Sequence, residues 1–417
     1  MKEKKLETKV LISSGIGSLL EMYDFSLYAY FAPIIGALFF PVNNELVGLI
    51  ATFGVFSIGY LMRPLGALIF GHLGDLFGRK KMLIISVLLM GIPTFLTGCL
   101  PTYSEIGILA PIFLLLVRIL QGLSVGSEFA GATVFIGEHA TNKNRGFLCS
   151  WVIFGIILGL LLGSSSAAGV SSVLARETLL SWGWRVLFLL SMVITPIAYY
   201  IRKSLPETPV FLEMQKENLL EKTPLKVLFH HHWHNIINAA GIAWVCAACV
   251  GLIFVYMSSY LTAVLHFRFS ESLIMNSLSM FFSLCLIPFM GALSDRLGRK
   301  PLLLFGSFGL LVFAYPLFFL LNHTHSQIEI TLALCSLGFF GSAILGAFSA
   351  TIVEIFPSNV RYSGVAISYN VMAGTGPLIA SFLIWLTNDP ASPSYYLIFS
   401  AIVSCIFIIR LKIHHAK

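Results

Sequence analysis

The chain has 417 residues, of which 57% are hydrophobic and 11% charged, and its formal net charge is +7. A soluble domain carries about a quarter of its residues as charge, so this composition excludes a soluble globular protein. Windows of about twenty apolar residues, each long enough to cross a bilayer, recur along the whole chain; the expected fold class is an all-α polytopic membrane protein.

In chain order, a lysine-rich stretch at 1–9 precedes the first apolar run. That run is too long for a signal-peptide core and lacks a cleavage site, so no cleaved leader is expected. Twelve spans are predicted at 10–40, 47–71, 81–99, 106–138, 147–170, 184–202, 234–263, 271–293, 301–321, 328–354, 362–388 and 394–411. Basic residues crowd the termini and the even-to-odd loops: Lys2, Lys4, Lys5, Lys9, Arg79, Lys80, Lys81, Lys143, Arg145, Arg202, Lys203, Arg296, Arg299, Lys300, Arg361, Arg410 and Lys412. The opposite loops hold Arg176, Arg185 and Arg268. The positive-inside rule then places both termini in the cytoplasm. The positive net charge follows from this topology, and no nucleic-acid partner is expected. The seven cysteines are scattered, and Cys246 and Cys249 form a CxxC inside an apolar helix, where they read as small packing residues. The run HHHWH at 230–234 reads as a solvated helix entry, and no metal site is expected.

Two six-helix halves show in a repeat. GHLGDLFGRKK at 71–81 returns as GALSDRLGRKP at 291–301. Glu138 precedes Arg145 by seven residues, and Glu354 precedes Arg361 by the same step. Glycines such as Gly71 allow tight turns and close helix approach. Asp75 and Asp295 can bind the N-terminus of a neighbouring helix. These residues, with Arg79, Glu138, Arg145, Arg299, Glu354 and Arg361, are expected to govern conformational gating. The expected organisation is a short N-terminus at 1–9, a first bundle at 10–202, a polar linker at 203–233, a second bundle at 234–411 and a tail at 412–417. In such repeats substrate lies between the halves and transport proceeds by rocking.

GHLGDLFGRKK resembles the signature loop of the major facilitator superfamily. Five further stretches resemble its metabolite:proton symporter branch, which includes proline/betaine, α-ketoglutarate, citrate and shikimate carriers. They are LLEMYDFSLYAY, MRPLGALIFGHLGD, RILQGLSVGSEFAGA, SLPETPVF and EIFPSNVRYSGVAISYN, and together they span nearly the whole chain. The resemblance implies twelve helices in two pseudo-symmetric six-helix bundles. It also implies a proton-coupled importer in the bacterial inner membrane, taking a small zwitterionic or carboxylate metabolite by alternating access. Protons are the coupling ion, no cofactor is implied, and a monomer is expected.

Charges inside the spans are few: Glu21 and Asp24 in span 1, Arg63 in span 2, Arg118 and Glu128 in span 4. Facing lipid they would impose more than ~10 kcal/mol, so they should face a polar interior and pair. Asp24 lies about 20 Å in at 1.5 Å per residue, and Arg118 lies at similar depth. The expected pairs are Asp24 with Arg118 and Glu128 with Arg63, with Glu21 able to join either. An acid that exchanges an arginine neighbour for a dry pocket changes its proton affinity with conformation. Asp24, Glu21 and Glu128, with Arg118, are therefore the candidates for proton coupling. In the superfamily's proton-coupled sugar carriers a carboxylate resembling Asp24 pairs with an arginine resembling Arg118.

Three acids against two arginines leave one excess negative charge. Protonating one acid would free an arginine for a substrate carboxylate, which favours a zwitterion or monocarboxylate over a tricarboxylate. Arg118, Arg63 and Asn370 are the polar candidates for binding it. Tyr28, Trp151, Trp244, Tyr256 and Tyr369 are the aromatic ones, with Tyr260 and Trp385 also available, since rings can cage a quaternary ammonium. Two departures from the branch stand out. Asn370 reaches Pro377 through VMAGTG, short by nearly a turn. The sequence ends at Lys417 without the long coiled-coil tail of the osmosensing carriers, so osmotic activation is not expected. A proton-linked exporter of drugs or siderophores is the alternative transport reading, although FGIILGLLLGSSSAAG lacks the Gly-Pro motif of such antiporters in span 5. A nutrient receptor without net transport is a third reading. No nucleotide loop, catalytic triad or metal spacing is present, so an enzyme is not expected.

Overall fold

The computed structural model describes residues 2–40, 45–372 and 376–411, with side chains from residue 8 onward except at 45–50, 53 and 56. The side chains of Lys2, Lys4 and Lys5, the tail 412–417 with Lys412, and the middle of VMAGTG at 373–375 lie outside the described residues.

Helices fall at all twelve expected positions. Span 1 is Lys2–Tyr30 followed by Ala32–Phe39, span 2 is Glu45–Phe77, span 3 is Arg79–Cys99, span 4 is Leu109–His139 and span 5 is Arg145–Val173. Span 6 occupies Arg176–Lys203 and includes a π-helical turn at Leu179–Gly183. Span 7 runs as Trp233–Ala248, a π-helical stretch Cys249–Tyr256, and Met257–Ala263. Spans 8, 9 and 10 are Phe269–Leu297, Arg299–His323 and Gln327–Ile355. Span 11 comes in two pieces, Arg361–Asn370 and Gly376–Thr387, and span 12 is Pro393–Arg410. Among the described residues nine helices are long and apolar enough to cross a membrane alone, and the bent first span makes ten.

The irregularities have local causes. Span 1 turns by 66° before Ala32, where Pro33 lacks the N–H that would continue the helix. The π-helical stretch of span 7 meets the break in span 11: a Cβ on Gly251 would lie 3.4 Å from Pro377 and 3.8 Å from Gly376. π-Helical turns inside helices tend to mark functional positions. The expected linker loop is corrected in part, since it contains two short helices, Pro209–Lys216 and Pro224–His231. Each begins with Thr-Pro. Pro suits the first helical turn, where its missing N–H costs nothing, and the Thr208 hydroxyl caps Phe211.

Spans 1–6 and 7–12 form two bundles that meet along span 2 against span 11 and span 5 against span 8. Within the first bundle, span 2 crosses span 4 on glycine. A Cβ on Gly122 would overlap the Gly59 carbonyl, and one on Gly126 would overlap the Arg63 carbonyl. This contact holds Arg63 against span 4 and beside span 11.

Candidate functional site

The site is a set of buried charges in the first bundle, closed at one end by contacts between bundles. In span 4, Arg118 donates to Asp24 of span 1 at 2.7 Å, and both side chains are buried. The Arg118 guanidinium also sits 3.9 Å from the Tyr28 ring centroid, and the Tyr28 hydroxyl donates to the Thr52 carbonyl at 3.1 Å. Asp24 Oδ1 and Arg118 Nε and Nη2 have no hydrogen-bond partner among the described residues. The pair is buried, with polar valences unused on both members among the described residues.

The expected Glu128–Arg63 pair is corrected. Glu128 is held by Arg202 of span 6, through an ion pair to Oε1 and a 3.0 Å hydrogen bond to Oε2. Ser86 of span 3 also donates to Glu128. Arg202 further donates to the Leu83 carbonyl and, at 3.3 Å, to the Ser13 carbonyl. Four spans thus meet on one ion pair. Arg202 was expected in a loop, yet it is 1% exposed. The missed signal is periodicity: Ser191, Thr195, Ala198 and Arg202 are the buried residues of Ser191–Lys203 and form one helical stripe. Counting Arg202 also overturns the expected excess negative charge, because Glu21, Asp24 and Glu128 now face Arg63, Arg118 and Arg202.

Arg63 turns instead to the second bundle. Its Nε donates to Asn370 Oδ1 at 3.1 Å, and Asn370 Nδ2 donates to the carbonyls of Gly126 and Ala366, each at 2.8 Å. The rings of Tyr60 and Tyr369 flank the Arg63 guanidinium at 5.3 and 6.0 Å, and Tyr369 stacks on Phe129 at 4.0 Å. Glu21 is buried one helical turn before Phe25, whose ring meets Tyr60 at 5.2 Å, and it makes no ion pair among the described residues. Other aromatic candidates lie apart from the arginines. The Trp244 indole donates to the Tyr396 hydroxyl, Tyr256 accepts from Ser381 at 3.4 Å, and Trp151 packs on Phe147 and Phe154. Tyr260 donates to Asn322 and to the Pro390 carbonyl, and Trp385 is exposed.

The repeated turns close one end of the molecule. Gly78 and Gly298 adopt φ of 104° and 93°, which a side chain would strain. Asp75 accepts from the Tyr362 and Ser363 amides at 3.1 and 2.9 Å, capping the start of span 11 in the opposite bundle. Asp295 accepts from the Gly146 and Phe147 amides at 2.7 and 2.9 Å, capping span 5 in return. Each carboxylate binds where a helix N-terminus presents free N–H groups and a partial positive charge. Gly71 allows the approach, since a Cβ there would lie 2.9 Å from Ser363 Cα. Ion pairs follow the same two-fold pattern. Arg361 meets Glu138 at 3.0 Å and Arg145 meets Glu354 at 3.4 Å, both between bundles. Arg79 joins Asp75 and Glu138, and Arg299 joins Asp295 and Glu354, within a bundle. The linker's first residues join as well. Glu207 accepts from the Arg79 and Lys80 amides at 3.1 Å, and Thr208 donates to Glu138 at 2.6 Å.

Comparison with known proteins gives a consistent picture. The family model described as sugar (and other) transporter matches residues 10–229 and again 213–414. The proline/betaine transporter of Salmonella typhimurium is 35% identical over 416 residues, covering 97% of this chain and 83% of the relative. The glycine betaine/proline/ectoine/pipecolic acid transporter of Dickeya dadantii is 35% identical over 407 residues, covering 95% and 81%. Among solved structures, the proton:xylose symporter bound to 6-bromo-6-deoxy-D-glucose aligns with a TM-score of 0.84 at 16% identity, covering 98% of this chain and 96% of that one. A partially occluded inward-open form of the Escherichia coli xylose transporter aligns with a TM-score of 0.70 at 18% identity, covering 99% of each. At these identities the structural likeness bears on the fold.

Proposed function

Since the chain belongs to the sugar (and other) transporter family of the major facilitator superfamily, we propose that it is a proton-coupled symporter importing a small zwitterionic or carboxylate metabolite of the proline/betaine kind. The observation that carries this reading is the buried Asp24–Arg118 pair with its unused valences. A proton reaching Asp24 neutralises it and releases Arg118. The freed guanidinium then lacks a counter-charge in a buried site, a state that the negative charge of a bound substrate relieves. Proton and substrate thus each favour the other's binding, which is the requirement for symport.

Residues 10–202 and 234–411 act as the two rocking bodies, with 203–233 as linker. The closed end faces the cytoplasm with both termini, and the basic residues gathered there support this orientation. Gly71, Asp75, Arg79, Glu138, Arg145, Asp295, Arg299, Glu354 and Arg361 form the gate on that side. The protein works as a monomer in the bacterial cell membrane, using protons and no other cofactor. The names of its relatives support the substrate class.

The test is uptake in proteoliposomes. Radiolabelled L-proline and glycine betaine should accumulate when the outside is acid and should equilibrate without accumulation once an ionophore collapses the gradient. Uphill efflux driven by an inward proton gradient would instead make the protein an exporter.

A further inference from the structure

Two buried groups of opposite charge remain without full partners. Glu21 is 1% exposed, and its Oε2 has no hydrogen-bond partner among the described residues. Asp24 and Glu128, by contrast, each have an arginine. Arg63 is 3% exposed; its Nε is engaged by Asn370, while its Nη2 has no partner among the described residues. Phe25, one helical turn beyond Glu21, meets the Tyr60 ring edge-on at 5.2 Å, and Tyr60 and Tyr369 flank Arg63 at 5.3 and 6.0 Å. Glu21, Arg63 and the two tyrosines therefore share one compartment, bounded by span 11 of the second bundle. Leaving a buried carboxylate and a buried guanidinium incompletely satisfied is costly, and a guest that brings both complementary charges would relieve both at once.

We propose that Glu21 and Arg63 are the two poles of the substrate site, taking respectively the ammonium and the carboxylate of one small zwitterion. We also propose that the carboxylate displaces Asn370 from Arg63. The assignment rests on the transport reading above and narrows its substrate class. The Nε and Nη2 groups form one edge of the guanidinium fork, which matches the two oxygens of a carboxylate. One position on that edge is open and the other holds a neutral amide oxygen. Hydrogen bonds to a charged acceptor are roughly twice as strong as neutral ones, so the carboxylate wins the edge. Tyr60 and Tyr369 stand by the guanidinium and line the space beside it. A monocarboxylate leaves Glu21 unanswered, and a dicarboxylate sets a second anion against it. Because Asn370 belongs to span 11, its release removes one tie between the bundles, and occupancy of the site is transmitted to the gate.

Counterflow in proteoliposomes without a proton gradient tests this. The labelled probe is L-proline, with glycine betaine and cyclopentanecarboxylate as competitors; the latter keeps the ring and carboxylate but lacks the ammonium. Wild type should prefer both zwitterions to cyclopentanecarboxylate by at least about tenfold, one ion pair's worth of discrimination. Glu21→Gln should abolish that preference, and Arg63→Lys should weaken all three ligands. Asn370→Ala, removing the competitor, should tighten proline binding by about threefold, and Asn370→Asp should weaken it by tenfold or more. A merely structural Asn370 would not tighten binding when truncated. The proposal is overturned if wild type exchanges proline but Glu21→Gln keeps the preference, or if Asn370→Ala weakens binding. Gradient-driven accumulation of cyclopentanecarboxylate with no proline exchange overturns it and leaves symport standing. Proline exchange that never responds to a proton gradient does the reverse, and no exchange of any probe overturns both.

Discussion

Asp24 and Arg118 sit on different helices, spans 1 and 4, and meet at 2.7 Å with nothing polar completing their remaining valences among the described residues. On the proposed mechanism this pair has two states, joined as here or separated by a proton on Asp24. Asp24→Asn fixes the second state. Counterflow should continue, since the site can still be filled, whereas accumulation driven by a pH gradient should fall to the equilibrium level. Full uphill transport by Asp24→Asn, measured in the same vesicles, would remove Asp24 from the coupling step.

Glu128 and Arg202 are bound far more completely, and their expected behaviour differs. Removing one partner leaves a buried charge alone, which costs about 3–5 kcal/mol. Glu128→Gln and Arg202→Met should each lower the unfolding midpoint strongly in detergent. The double variant should recover much of the loss, because an uncharged pair has no stranded ion. It should also retain gradient-driven transport, which separates an architectural pair from a coupling one.

At the closed end, Asp75 and Asp295 each cap a helix of the opposite bundle, and on the proposed gating role both hold the same closed state. Hydrogen bonds to a charged acceptor contribute about 1.5–3 kcal/mol, so Asp75→Asn should shift the closed-to-open ratio by roughly tenfold or more. Spin labels at Lys143 and Asn359 read that shift as a population of longer distances. Asp295→Asn should do the same, and the two shifts should multiply in the double variant, because the caps share no partner. Distances unchanged in all three would mean that the caps do not hold this end shut.

The glycine crossing predicts a contrast between two substitutions. Gly126→Val must displace the Arg63 backbone and should cost about 1–3 kcal/mol, the usual penalty of overpacking, with loss of transport. Gly169→Val has open space at its Cβ and should change neither the melting temperature nor uptake.

Much of this was legible in the sequence for physical reasons. Apolar runs of about twenty residues read as helices in a bilayer, because only a helix satisfies all its backbone groups within one such segment, so the twelve spans and the halves marked by Asp75 and Asp295 could be read directly. Asp24 and Arg118 could be matched by depth alone. Arg202 could not, because a cation near a span's end looks like a headgroup anchor unless its helical face is also considered. Missing it gave Glu128 the wrong partner and an excess charge that the fold does not have. The bond from Arg63 to Asn370 joins residues 307 positions apart, a relation that no local pattern encodes. The π-helical stretch of span 7 likewise has no composition of its own.

The linker's anchoring has a practical consequence. Glu207 and Thr208 fasten its beginning to the first bundle, and Leu228 buries its end. Between them, residues 217–223 make local hydrogen bonds, and Asn218 turns the chain at a φ of 58°. A protease cut there, or two separately expressed polypeptides divided at that point, should leave every latch intact. The molecule should then survive as a complementing pair of fragments, able to be purified together from one tag.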